Sequence, residues 1–462
     1  MYSKNATNIG RRSTGYRVLK NLARAAFYIY YRKISIYGRD NIPQGGGLIF
    51  AANHRNALID ALAVLLTNRF QPVYLARADI FRNPVAARIL RFLKIMPVYR
   101  FRDGVETMGQ NEDTFMKTTE VLSAGGCIGI MPEGNHGEQK RLRVLKKGVF
   151  RIAFRAMEDS GCNVRIVPVG LDYTDTDRFR EELVVSYGKP LPVKDYIDLY
   201  REHPQKGINA MRKDLSERIR ELIIDIRDDE NYRVDRLLME TGTESVREKR
   251  RNAGMNNSGR FIVQRDLCKA MYEYFDREPS AAKELRDMAA RLLELLDKHG
   301  IPESVDCNPD GKKLFIARVT RVMCFPVFLT GAAVHLLPLA VIRLALGRLR
   351  DLQFISSFKF VLGFLLVPLN YIIAAVVLLY IMPVKFALPV VLAMPLIGIL
   401  AHRCFRYSEA AALTIVCSRA ASGHPADFAD IARLRRAVRG KLEPVLGRLA
   451  EKYSRANSFN KS

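Results

Sequence analysis

The chain has 462 residues, 48% of them hydrophobic, with 73 Lys and Arg against 48 Asp and Glu, a formal net charge of +25. That length and apolar content give a buried core and exclude disordered and collagen-like classes. The charge argues for an anionic partner, which leaves nucleic acid, an anionic membrane surface or a phosphorylated substrate.

Residues 1–33 form a basic segment whose aromatic cluster, Phe27, Tyr28, Tyr30 and Tyr31, suits either an amphipathic helix at a membrane interface or a helix packing on its own domain. The apolar stretch there is interrupted by Arg24 and followed by Arg32 and Lys33, so no secretory signal is visible. From 34 to 235 short apolar runs alternate with helix-length segments. Strands are expected at Ile34–Tyr37, Gly47–Ala52, Pro72–Leu75, Cys127–Met131 and Val164–Val169, with helices at Glu106–Ser123 and Lys147–Asp159. This alternation predicts an α/β domain with a mostly parallel sheet. Residues 236–320 read as a helical region, carrying apolar residues at three- and four-residue spacing.

Membrane-embedded segments are expected within 321–402. Val322–Ile342, Phe360–Val384 and Phe386–Ala401 carry no Lys, Arg, Asp or Glu over 21, 25 and 16 residues. About 20 apolar residues cross a bilayer core. Basic residues flank the second and third blocks, which predicts a hairpin returning to the cytoplasm. The first block has Arg on both sides and prolines at 326 and 338, so an interfacial or re-entrant course is expected. Residues 403–462 read as a basic cytoplasmic tail for anionic headgroups. The chain is therefore expected to be integral to the cytoplasmic membrane, its catalytic domain facing the cytoplasm.

The seven cysteines are odd in number and scattered, with no CxxC, and read as reduced packing thiols; no metal site is expected. Nucleic acid lacks support, since no zinc finger, RNP-like strand or basic region joined to heptads is present.

One stretch carries chemistry. Gly47–Ala52 runs straight into Asn53-His54, and Asp60 follows six residues later. On a single helix these side chains would lie about 120° apart, so they can meet only if His54 sits in the turn before the helix. An Asp in the first helical turn beside an imidazole is the base-and-orienter arrangement that deprotonates a hydroxyl. Three further stretches follow apparent strands: Met96-Pro97-Val98-Tyr99-Arg100, Pro132-Glu133-Gly134-Asn135 and Val167-Pro168-Val169-Gly170. Arg100 suits phosphate through its planar fork. His136, which comes next, is expected to be a loop histidine facing solvent.

In this order the four stretches resemble the PlsC-type glycerol-3-phosphate and 1-acylglycerol-3-phosphate acyltransferases, over roughly residues 30 to 235. The resemblance implies that this α/β region is an acyltransferase domain, so the chain is expected to be a mostly parallel acyltransferase domain followed by the helical region and the C-terminal membrane helices read above. The implied reaction is acyl transfer from a thioester co-substrate, acyl-CoA or acyl carrier protein, to a glycerol-phosphate acceptor. No cofactor is implied. It makes His54 the general base with Asp60 its partner, assigns Arg100 to the phosphate, and gives Glu133 and Gly134 to the acceptor site with Asn135 altering acceptor choice. Lys147 would stand near phosphate, with Arg141 and Arg143 adding local positive charge. Five residues separate His54 from Asp60 where the family usually has four, which points toward the glycerol-3-phosphate members. Another lysolipid acceptor, or a catalytically silent membrane-associated lipid-binding protein, is the alternative.

Overall fold

A computed structural model describes residues 14–98, 108–252, 259–303, 305, 311–349 and 351–459. The chain divides into two compact units, one running to Asp225 and taking back Leu349–Phe360, the other comprising Ile226–Arg348 and Val361 onward.

The first unit begins with helix α1 (Thr14–Tyr30) and strand β1 (Lys33–Tyr37). Then come β2 (Gly47–Ala52), α2 (Ala57–Thr67), β3 (Val73–Arg77), α3 (Pro84–Phe92), β4 (Ile95–Val98), α4 (Met108–Ser123) and β5 (Cys127–Ile130). It closes with α5 (Gly148–Ser160), β6 (Val164–Tyr173), β7 (Glu182–Tyr187), β8 (Leu191–Pro192), α6 (Ile197–Glu202) and α7 (Pro204–Arg220). The sheet order is β1-β7-β6-β2-β5-β3-β4, with β8 on β6. Among the described residues only β6–β7 and β6–β8 pair antiparallel.

β2 shows why the sheet is covered on both faces. All six of its residues are buried, as a continuous apolar run in a parallel sheet requires. Its side chains alternate: Ile49 and Ala51 join a core with Phe150, Phe154, Met211 and Leu215, whereas Leu48, Phe50 and Ala52 join Phe27, Tyr31, Ile59 and Val64. Helices α5 and α7 therefore cover one face and α1 and α2 the other. Each large side chain so buried contributes about 1.5–3 kcal/mol. Phe360, from the returning segment, is 5% exposed and belongs to the second of these cores.

β2 has β6 on one side and β5 on the other, all parallel. Their carboxyl ends therefore open on the same edge. Loops at the carboxyl ends of parallel strands are where α/β sheets place ligand sites.

The second unit is helical: α8 (Tyr232–Asn252), α9 (Arg260–Arg277), α10 (Pro279–Lys298), α11 (Gly311–Val334), α12 (Leu336–Leu346), α13 (Ile355–Ile381, its first turns in the other unit), α14 (Val384–Gly423) and α15 (Pro425–Phe459). α11, α13 and α14 are each long and apolar enough to cross a membrane. The first apolar block is thus not one helix: α11 begins at Gly311, and the chain breaks at His335, whose Nδ1 lies 2.9 Å from the Gly331 carbonyl and Nε2 2.9 Å from the Tyr371 hydroxyl. α11 packs along α14, with Gly331 against Ala401, the small-residue contact that lets apolar helices approach closely. The stretch expected as a tail is the end of α14 followed by α15, which packs on α8, α9 and α10 and buries Val438, Leu442 and Val445.

Candidate active site

β2 delivers the first loop of the site. Asn53 is 1% exposed, and its amide extends the β2–β6 ladder: Nδ2 donates to the Leu171 carbonyl at 3.0 Å and Oδ1 accepts from the Leu171 N–H at 2.7 Å. The strand end is thereby fixed where His54 leaves it.

His54 and Asp60 meet as expected. Nδ1 of His54 lies 2.8 Å from Oδ2 of Asp60, and the same oxygen accepts the Arg55 and Asn56 N–H groups at 2.7 Å each. The Tyr173 hydroxyl, from the end of β6, donates to Oδ1 at 2.5 Å. Four donors thus converge on a fully buried carboxylate. The five-residue spacing is absorbed by the turn, because the two extra-helical N–H groups fold back onto Asp60 and Ala57 takes a positive φ of 31° as the helix begins. A non-glycine residue there is strained, as is common where surrounding bonds fix a functional loop. With Nδ1–H directed at the carboxylate, the lone pair of Nε2 is left for a substrate.

β5 delivers the second loop. Glu133 is buried, and its oxygens are engaged inside the protein: Oε1 accepts the His54 N–H at 2.9 Å, Oε2 the Arg143 Nε–H at 2.8 Å. Burial pushes this carboxyl up, against the pull of Arg143 and the His54 N–H. The geometry therefore makes Glu133 a frame for the His54 loop. Gly134 turns the chain at φ 72°, where an added Cβ would press on the Lys146 side chain.

Arg143 is engaged in the same way. Nη1 donates to the His136 carbonyl at 2.7 Å, and Nη2 to the carbonyls of His54, at 2.9 Å, and of Asn135. Its guanidinium ties the two loops together and is not free for a phosphate, in contrast to the expectation from charge alone. Asn135 itself is exposed at the loop tip. Lys147 precedes α5 and donates to Gln205 at 2.7 Å. Arg100 lies outside the described residues, two positions beyond the end of β4.

His136 overturns its expectation. It is half-buried, its ring centroid 5.2 Å from that of His54 at an interplanar angle of 72°. Burial and the neighbouring His54 hold it below the ordinary histidine value, with Arg143 acting in the same direction and Asp351 and Asp60 opposing. Tyr173 is the site residue that sequence reasoning did not name, and Arg143 and His136 stand in surroundings other than those expected of them. Among the described residues no cluster of three His, Cys, Asp or Glu is arranged to hold a metal ion. The helical unit contains a cavity of about 710 Å³ lined by Arg227, Asp228, Tyr272 and Arg286, in which Arg286 is paired with Asp228 and Asp235.

Residues 33–172 match the protein family described as Acyltransferase. The chain is 32% identical over 108 residues to Glycerol-3-phosphate O-acyltransferase 2 of Saccharomyces cerevisiae, a match covering 23% of this chain and 14% of that protein. It is 26% identical over 186 residues to the 1-acyl-sn-glycerol-3-phosphate acyltransferase of Borreliella burgdorferi, covering 39% and 69%. Among solved structures, the 1-acyl-sn-glycerophosphate (LPA) acyltransferase PlsC from Thermotoga maritima is similar at 16% identity and a TM-score of 0.30, over 43% of this chain and 79% of that one. Residues 33–172 are thus similar to that family, and the matched span holds the strand and helix whose junction carries His54 and Asp60.

Proposed function

We propose that this domain transfers a fatty acyl group from an acyl thioester, on coenzyme A or acyl carrier protein, to a hydroxyl of glycerol 3-phosphate or 1-acylglycerol 3-phosphate. The observation that carries the reading is the His54–Asp60 pair at 2.8 Å, with Nε2 of His54 left for a hydroxyl proton. In the proposed step Nε2 takes the acceptor's hydroxyl proton while its oxygen attacks the thioester carbonyl carbon. The tetrahedral intermediate then collapses, the C–S bond breaks, and the thiolate leaves with the proton from His54. Asp60 fixes the tautomer and stabilises the imidazolium in between. A thioester is activated enough for direct attack, so no acyl-enzyme forms.

Arg100 is assigned to the acceptor's phosphate, with Lys147 in support. Membrane association is supported by the three long apolar helices and by exposed apolar residues on the catalytic unit itself. Val18, Leu22 and Ile29 on α1 and Val85, Ile89 and Phe92 on α3 are all more than 40% exposed, and Tyr16 and Phe92 pack together across the two helices. With Arg88 and Arg91 on the same helix as the latter three, this face suits an anionic bilayer. We place the chain in the cytoplasmic membrane with the catalytic unit on the cytoplasmic side.

The test is an acceptor screen of the purified full-length protein in vesicles, with acyl-CoA or acyl carrier protein as donor and glycerol 3-phosphate and lysophosphatidate compared side by side. Acylation of either supports the reading; acylation of neither refutes it. Arg100→Ala should raise KM for the phosphorylated acceptor, and an unchanged KM removes Arg100 from the site.

A further inference from the structure

We propose that His136 is a second catalytic histidine, donating a hydrogen bond to the acyl carbonyl oxygen, and that Phe354 is the positioning residue that holds it there. This rests on the acyl-transfer reading above and adds to it a residue and a wall of the site.

The loop carrying His136 is fixed to the base itself. The Gly137 N–H donates to the His54 carbonyl at 3.3 Å, and Arg143 bonds the carbonyls of both histidines. The imidazole lies edge to face between two rings, His54 on one side and Phe354 on the other, at 5.2 and 5.3 Å between centroids. Its Nδ1 is buried and has no hydrogen-bond partner. A buried polar atom without a partner costs about 1–3 kcal/mol. Such an atom beside a general base fits a group whose partner arrives with the substrate.

Phe354 is itself well anchored. It ends a short 3₁₀ turn, Leu352–Phe354, that leads directly into the apolar helix α13. The first turns of that helix are built into the catalytic unit: the Ser356 hydroxyl donates to the Thr176 carbonyl, the Lys359 ammonium to the Asp177 carbonyl at 2.7 Å, and Phe360 packs edge-on against Phe27 and Tyr30. The root of a membrane-length helix thus reaches the base through a single intervening ring.

The chemistry follows from where charge develops. A carbonyl carbon attacked by an oxygen bonded to His54 Nε2 lies within about 3.5 Å of that oxygen. Its own oxygen then falls in the space bordered by His136. A neutral imidazole there donates one N–H to the developing oxyanion without placing a second positive charge beside the His54 imidazolium. The loss of one oxyanion donor typically costs about 10²–10³ in rate.

The experiment measures kcat and KM of the full-length protein in vesicles, with acyl-CoA and the acceptor that the screen identifies, for the parent, His136→Ala, His136→Gln, Phe354→Ala and the His136→Ala/Phe354→Ala double variant. His136→Ala should lower kcat about 10²-fold with little change in acceptor KM. His136→Gln, which keeps a donor, should recover a large part of it. Phe354→Ala should cost less, and add nothing in the double variant, since it acts only through His136. If His136→Ala does not fold, His136→Phe, which keeps the ring and lacks the donor, replaces it. An active parent with an equally active His136→Ala overturns this proposal alone, as does a Gln variant no better than Ala. A parent with no acyl transfer overturns the underlying reading, and this proposal with it.

Discussion

Asp60→Asn removes one charge and preserves the shape of the side chain. The amide oxygen can take the place of Oδ2 and keep the three N–H donors from His54, Arg55 and Asn56. The amide NH₂ then faces Tyr173, whose hydroxyl can turn from donating to accepting. The destabilisation expected is accordingly within about 1–3 kcal/mol. The catalytic loss is larger. With charge centres about 4 Å apart and an effective dielectric of about 20, a carboxylate stabilises the transient imidazolium by about 4 kcal/mol. That corresponds to about 10³ in kcat. Thiol release from acyl-CoA at saturating acceptor measures the rate, and thermal unfolding of the same preparation verifies the fold. A variant within tenfold of the parent, with its melting temperature retained, would refute the assignment of Asp60 as the partner of the base.

Three other outcomes follow from the same geometry. Glu133→Gln leaves Arg143 without its carboxylate and weakens the bridge between the loops, so thermal melts should show a loss of about 1–3 kcal/mol together with lower kcat. Tyr173→Phe removes one of four donors on Asp60 and should cost about 1 kcal/mol by denaturant titration, with a rate loss below tenfold. His136 sets a pH dependence. In the unfolded chain it takes a proton near 6.5, whereas in the fold burial and His54, with Arg143 in support, outweigh Asp351 and Asp60 and hold it lower. Its contribution to stability is thus full above 6.5 and declines as the pH falls from there toward the folded value, since only the unfolded chain gains the proton. His136→Gln should flatten the fall in melting temperature below that pH, and an unchanged pH profile would contradict it.

The parts of the site that lay close together in sequence were legible. The apolar run Gly47–Ala52 reads as a central strand, and a base and its carboxylate within eight residues of its end require only one turn to meet. The contributions that sequence did not reveal come from far along the chain. Tyr173 is 113 positions from Asp60, and only the parallel pairing of β2 and β6 brings it there. Arg143 looked like one basic residue among several, because nothing local shows that its fork faces four acceptors across two loops. β7 was missed and β6 taken as four residues too short, since both are buried by the helices of other segments rather than marked by their own turns. Phe354 and Phe360 sit at the start of an apolar helix, where composition indicates lipid; the aromatic contacts that bind them to the catalytic unit are made by residues more than 200 positions away.

The most direct measurement of the central claim is acyl transfer by the purified protein beside its His54→Ala variant, with thioester donor and glycerol 3-phosphate or lysophosphatidate supplied. The parent should form the acylated product, and the variant, folded but without its base, should lose at least about 10² in rate. Equal rates in the two proteins would contradict the assignment of His54 as the base.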